Sequence, residues 1–179
     1  MKIKAGIIGC GGIANNKHLP AIRKVDRMEM VAFCDIIRER AEKAAAEYGA
    51  PGARVYTDYK ELLAEELDVV YVCTPNRSHS FITVDALHSG KYDLHKTALI
   101  ITQTGGGCRA SNYIHLLRKA LEKDGLSYIP VISLNMSGLE KNSGFKLTLP
   151  MIRKALGVLA YGDLLMLLHN QTRPYEKEA

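Results

Sequence analysis

The chain has 179 residues, of which 47% are hydrophobic and 24% charged, a balance that supports a buried core and excludes disorder as a global state. Its net charge of +5 comes from Lys and Arg scattered among Glu in helix-like segments such as "RERAEKAAAEYG" and "LLRKALEKDG", a solvated pattern that argues against a nucleic-acid surface. No apolar run reaches the roughly 20 residues that cross a bilayer, no signal-peptide core opens the chain, and Cys10, Cys34, Cys73 and Cys108 lack the paired spacing of a zinc site or a disulfide framework. The expectation is a protein of the reducing cytoplasm, with no membrane and no nucleic-acid partner.

In chain order the first half alternates strand and helix. Residues 3–9 (IKAGIIG) are a glycine-bounded apolar run, as a buried parallel strand requires. A helix is expected over 13–25, with Pro20 near its start or marking a break. "MEMVAFCD" (28–35) reads as the second strand, 38–48 as an alanine-rich helix ending at Gly49, and "ARVYT" as the third strand. Asp58 caps a helix reaching about residue 65, and "LDVVYVCT" (67–74) is a β-branched fourth strand. Further on, "TALIITQ" reads as a buried strand suited to the fifth, edge position of the same sheet. "TGGGCRAS" is a loop, and Ile114, Leu117 and Leu121 form the apolar stripe of the helix that follows it. "IPVISLNMSG" is another strand. Residues 148–169 form a long apolar helix expected to break or kink at Gly157 or Gly162, and to need a partner in the sheet or in another copy of the chain. The pattern predicts an α/β protein with a Rossmann-like, doubly wound parallel sheet, whose second half is also α/β.

The glycine motif sits at the end of the first strand. In "GIIGCGGIA", Gly9, Gly11 and Ala14 fill a G-x-G-x-x-A spacing between strand and helix. Gly9 permits the tight turn, Gly11 lets backbone approach a pyrophosphate, and Ala14 allows close helix–strand packing. The helix start offers unpaired N–H groups to phosphate oxygens. Asp35 ends the second strand, where an acid accepts hydrogen bonds from ribose hydroxyls and favours NAD, while Arg38 and Arg40 just beyond leave room for the 2′-phosphate of NADP. At the end of the fourth strand, "CTPNRSHS" places Thr74, Pro75 and Asn76 in a rigid turn facing the same crevice. His79 follows one helical turn later, either on that crevice or on the helix surface.

Taken together, "AGIIGCGGIA", "VAFCD", "VYTDYKELL", "LDVVYVCTPNRSHS" and "ALHSGK" resemble the N-terminal domain of the glucose–fructose oxidoreductase / inositol dehydrogenase / MocA (Gfo/Idh/MocA) family, over residues 3 to about 91. The resemblance implies NAD or NADP as cofactor and a sugar or polyol hydroxyl as substrate. It also implies cofactor contacts for Gly9, Gly11, Gly12, Ile13, Asp35, Thr74, Pro75, Asn76 and His79, and makes His79 a candidate for the chemistry as well, since it would face the cofactor or substrate cleft. Family members continue into a Glu-Lys-Pro motif whose lysine assists proton transfer. Here residues 96–98 are Lys96, Thr97 and Ala98, and a one-residue gap is needed to set Lys96 in the lysine position. The family's substrate-binding domain has no room in the rest of the chain, so an incomplete oxidoreductase is expected. The alternatives are a nucleotide-binding or interaction protein without turnover, and the reading carried by the second half.

That second half, from "SGKYDLHKTALIITQTGGGC" onward, resembles the dehydratase-subunit-like portion of activase-like proteins associated with 2-hydroxyacyl-CoA dehydratases. The resemblance makes Cys108 a candidate ligand of an iron–sulfur cluster, but one cysteine cannot hold a cluster and no other cysteine follows it. Arg109 and Asn112 lie beside it without an assigned role. The two resemblances meet at residues 89–92. This reads as a chimera joined near Lys91, a natural fusion or a joining of unrelated fragments, with units at 1–91 and 92–179. The apolar C-terminal helix is then a surface for association with a second copy.

Overall fold

The computed structural model describes residues 2–102, 112–134 and 148–175. Strands β1 (Ile3–Ile8), β2 (Met28–Cys34), β3 (Gly49–Tyr56) and β4 (Val69–Val72) form one parallel sheet in the order β3-β2-β1-β4. Every connection is a crossover through helix, as parallel neighbours require. The alternation of side chains in β1 explains the layering. Ala5 and Ile7 project to one face, where they meet Phe33, Ala14, Leu19, Ile22, Ala41 and Ala44. Ile8 projects to the other, against Leu62, Leu63, Leu67 and Ile82. Both faces of the sheet are therefore covered, and this is why β1 over 5–8 and β2 over 30–34 are apolar without alternation.

The first helical segment departs from an ordinary α-helix. Residues Ala14–His18 are π-helical and run into α1 (Leu19–Ile22), with Pro20 inside the continuous segment and not at its start. Proline cannot donate the backbone bond an α-helix needs at that position, and a widened turn just before it accommodates the missing donor. Helices α2 (Arg38–Tyr48), α3 (Tyr59–Leu63) and α4 (Asn76–His88) follow the expected pattern. Asp58 caps α3 by accepting from the Lys60 N–H at 2.8 Å.

The second half differs from expectation in two places. Strand β5 (Leu99–Thr102) does not extend the four-stranded sheet, but pairs in parallel with β6 (Val131–Leu134) in a sheet of two strands. Nor is it fully buried: Ile100 is 72% exposed, while Leu99 and Ile101 pack inward. The reason lies in the cluster that captures its inner face. Leu87 from α4 joins Ile114 and Leu121 of α5 (Tyr113–Lys123), together with Leu126, Ile129 and Val131. Burying Leu99 and Ile101 in that cluster turns β5 toward β6, and β4 remains the edge of the main sheet among the described strands.

Helix α6 (Leu149–Thr172) corrects a second expectation. It runs unbroken through Gly157 and Gly162, and none of its residues is buried. It packs on neither sheet. Glycine inside a helix costs only about 1 kcal/mol relative to alanine, which the flanking leucines, good helix formers, absorb. Among the described residues no helix is long and apolar enough to cross a membrane.

Candidate functional site

The glycine turn is tied to the strands on either side of it. The Gly9 N–H donates to the Cys34 carbonyl of β2 at 2.7 Å, and the Cys73 N–H donates to the Ile8 carbonyl at 2.8 Å. Gly9 itself has φ +94°, and a side-chain carbon there would lie 2.8 Å from the Cys73 carbonyl group and 2.9 Å from the Thr74 nitrogen. Only glycine satisfies both the left-handed backbone and that approach. The close contact brings the turn after β1 against the turn after β4, so the two sequence motifs share one crevice at the carboxyl ends of the strands, where open α/β sheets bind ligands.

Gly11 is different. A side-chain carbon there would meet nothing within 4 Å, and at Gly12 the nearest atom is an Asn16 side-chain nitrogen at 3.8 Å. These glycines leave open space in front of backbone N–H groups, as a pyrophosphate needs. Asn15 braces the turn from within the first helical segment, its amide donating to the carbonyls of Cys10 (2.7 Å) and Gly11 (3.0 Å). Ile13 is half exposed beside it, and Ala14 is fully buried, in keeping with close helix–strand packing.

Asp35 lies at the end of β2 and is buried. Its Oδ2 accepts from the Cys10 N–H at 2.8 Å, and its Oδ1 accepts from the Ile37 N–H at 2.9 Å. The carboxylate thus locks the glycine turn to the start of α2. Beyond it, Ile36 is almost fully exposed. Arg38 is held along its own helix by Glu42 at 2.8 Å. Arg40 instead lines a cleft of about 330 Å³ with Cys10, Gly11, Gly12, Asn15 and Lys43. Lys43 was not singled out from the sequence. The signal for it was its place one turn after Arg40 in α2, on the side turned to the glycine loop.

Burial pushes the Cys10 thiol up to about 12, with the Asp35 charge adding to the effect. Cys34 rises to about 12 for the same two reasons, and burial alone lifts Cys73 to about 11. The three thiols beside the crevice are neutral packing groups, as expected from their strand positions.

At the end of β4, His79 Nε2 lies 2.6 Å from the Thr74 carbonyl, so the ring donates there and holds the turn. Ser78 donates to Thr74 Oγ1 at 2.9 Å. Pro75 is exposed, and the Asn76 amide donates to the Tyr113 hydroxyl at 2.6 Å. Tyr113, at the start of α5, is a second residue the sequence did not flag, because nothing local pairs it with Asn76. Lys96 stands apart in a short 3-10 turn (Leu94–Lys96), exposed, with Nζ 3.5 Å from Asp93. Cys108, Arg109 and the "TGGGCRAS" loop up to residue 111 lie outside the described residues, and Asn112 directly precedes α5. Among the described residues no cluster of His, Cys, Asp or Glu could hold a metal.

A parallel sheet in the order 3-2-1-4, with a glycine turn and a strand-end acid at its carboxyl edge, defines the Rossmann class of nucleotide-binding folds. The profile of the "Oxidoreductase family, NAD-binding Rossmann fold" (Gfo/Idh/MocA) matches residues 3–95. The chain belongs to this family. Among its relatives, inositol 2-dehydrogenase of Salmonella typhimurium is 35% identical over 103 residues, covering 57% of this chain and 30% of that enzyme. D-glucoside 3-dehydrogenase of Escherichia coli is 38% identical over 89 residues, covering 49% of this chain and 25% of the enzyme. The chain thus spans about a third or less of the length of the curated relatives it matches. In fold it is similar to the WlbA dehydrogenase from Chromobacterium violaceum, solved with NADH and UDP-GlcNAcA (TM-score 0.53, 24% identity, 74% of this chain and 35% of that one). It is also similar to KijD10, a 3-ketoreductase from Actinomadura kijaniata solved with NADP (TM-score 0.53, 22% identity, 75% and 37%).

Proposed function

We propose that residues 3–95 are the NAD(P)-binding module of a dehydrogenase acting on a sugar or polyol hydroxyl. The observation that carries this reading is the meeting of the Gly9 turn with the Cys73–Thr74 backbone, which joins both motifs into one crevice. In this reading the backbone at Gly11 and Gly12, with Ile13 beside it, receives the pyrophosphate. Asp35 fixes the floor of the adenosine end. Thr74, Pro75 and Asn76, held by His79, border the nicotinamide end. The bound cofactor supplies hydride chemistry. The chain's own groups bind, orient and exclude water. Lys96, which only a one-residue gap sets in the position of the family's lysine and which stands apart from the crevice beside Asp93, is the residue of this chain offered for taking the hydroxyl proton. Names of relatives support the substrate class: inositol 2-dehydrogenase and D-glucoside 3-dehydrogenase.

The test is a titration with NADH and NADPH, following nicotinamide fluorescence, with Gly11→Val as control. The expected result is binding by the native chain and none by the variant, both folded. Absence of binding to the folded native chain overturns the reading. Cofactor binding without turnover of inositol or a glucoside selects the reading of a nucleotide-binding protein that lacks catalysis.

For residues 92–179 we propose a second segment, similar to the dehydratase-subunit-like portion of activase-like proteins and joined near Lys91, a few residues before the family match ends at 95. Support comes from the second half's own two-stranded sheet, whose apolar cluster takes in Leu87 of α4 as well. Uninterrupted sequencing of the source DNA across residues 89–92 tests the junction. We also propose that copies of the chain associate through α6, whose leucines are exposed on all sides.

A further inference from the structure

We infer that Tyr113 is the substrate-contact residue of the crevice, its hydroxyl donating to the sugar or polyol oxygen presented to the nicotinamide. The inference rests on the cofactor reading above and adds to it a residue that neither sequence motif contains. The fold leaves a place for such a residue. β4 is the edge of the four-stranded sheet among the described strands, because β5 pairs with β6 instead of continuing it. Lys96 is exposed on its separate turn beside Asp93. The segment that does return to the turn after β4 is the start of α5.

Tyr113 is the first residue of α5 and Asn76 the first of α4. The Asn76 amide donates to the Tyr113 hydroxyl at 2.6 Å, which fixes the phenol at the carboxyl edge of the sheet. Tyr113 is half-buried and Asn76 exposed, so the pair stands at the rim of the crevice and not in its floor. The pairing of His88 with Asp124 lies at the far end of α4, away from that rim. A phenol carries one O–H donor and also accepts. Asn76 fills the accepting side, and among the described residues no protein group takes the Tyr113 proton. The polar groups nearer the strand are already engaged: Ser78 donates to the Thr74 hydroxyl, and His79 to the Thr74 carbonyl. The Tyr113 proton is therefore left for a ligand oxygen beside the nicotinamide end. A bond from hydroxyl to hydroxyl orients the substrate C–O bond without burying a charge. The proton stays on Tyr113 in this contact, which binds and orients only.

The experiment uses the full chain, native and Tyr113→Phe, a change that keeps the ring and removes only the hydroxyl. Far-UV circular dichroism checks the fold of both. Each is titrated with NADH and NADPH by nicotinamide fluorescence. The cofactor-loaded chains are then titrated with myo-inositol, followed by saturation-transfer NMR, and with its analogue lacking the 2-hydroxyl, the position named in the activity of inositol 2-dehydrogenase. Dinucleotide affinity is expected to change less than about twofold in the variant, and inositol affinity to fall about fivefold to tenfold. The native chain should bind the deoxy analogue about fivefold to tenfold more weakly than inositol, whereas the variant should bind both alike. A merely structural link between the halves would not erase that discrimination. Equal inositol binding by native chain and variant, discrimination that survives in the variant, or no inositol binding to the cofactor-loaded native chain overturns the assignment and leaves the cofactor reading standing. So does a loss of dinucleotide affinity as large as the loss for inositol, which would make Tyr113 a support for Asn76. A folded native chain that binds neither dinucleotide overturns the cofactor reading itself.

Discussion

At the scale of single residues, two glycines only two positions apart show how one motif divides its labour. Gly9 is structural: its left-handed backbone and its contact with Cys73 leave no space for a side chain. Gly9→Ala is expected to destabilise the fold by about 1–3 kcal/mol from backbone strain, with the clash adding to it, read as a lower urea midpoint. Gly11 faces open space, so Gly11→Val is expected to leave that midpoint nearly unchanged while abolishing cofactor binding. A Gly11→Val chain that unfolds, or still binds, contradicts this division. The crevice thiols make a second prediction. Their folded values of about 12, 12 and 11 lie above the ordinary 9.0, so the folded chain holds these protons more tightly than the unfolded chain. The stability they contribute is complete below about pH 9 and declines as pH rises from there through 11 and 12. Urea midpoints measured from pH 8 to pH 11 should fall, and in a Cys73→Ser/Cys108→Ser variant, which keeps only the buried Cys10 and Cys34, a thiol reagent at pH 8 should react only on unfolding. Rapid labelling of the native fold would show that the thiols are not buried neutral groups.

At the scale of elements, α6 and β5 depart from simple expectation for the same reason: an apolar sequence fixes a preference for burial but not its location. Leucine-rich α6 forms a continuous helix because leucine and methionine favour helix, and its low contrast between faces gives it no single side to lay on a sheet. Deleting residues 148–179 is expected to leave the thermal midpoint of the four-stranded unit within about 2 °C, since none of its core residues touches α6 in either cluster. The same truncation should reduce self-association in sedimentation velocity. A large loss of thermal stability would show that α6 does cover the sheet. β5, by contrast, has one inward face, and Leu99 and Ile101 find their partners in the cluster organised around Leu87 and α5. Pairing with β6 follows from that burial.

At the scale of the whole molecule, the two halves are coupled through α4. Leu87 ends α4 yet packs into the second cluster, His88 pairs with Asp124, and Asn76 meets Tyr113. Leu87→Ala is expected to destabilise the second cluster by about 2–5 kcal/mol. Hydrogen exchange should rise across residues 94–102 and 112–134, while the amides of β1 and β2 keep their protection. Equal loosening of both halves would show a single cooperative unit instead. Much of the first half was legible beforehand, because its signals are local. Continuous apolar runs, the glycine spacing, the Asp58 cap and the strand-end acid each act within a few residues, and they determined four parallel strands, their helices and the position of the crevice. The sequence by itself also placed Gly9, Gly11 and Asp35 side by side at the carboxyl ends of β1 and β2, where Asp35 accepts from the Cys10 N–H, since the spacing of strand, turn and helix leaves little freedom. What only the tertiary structure decided were the contacts between segments distant along the chain. Asp35 turned inward to the Cys10 and Ile37 amides, Lys43 joined Arg40 in the cleft while Arg38 withdrew to Glu42, β5 left the main sheet, and α6 stood clear of it. Residue type sets what a group can bond to, and only the fold's packing decides which of those partners comes within reach.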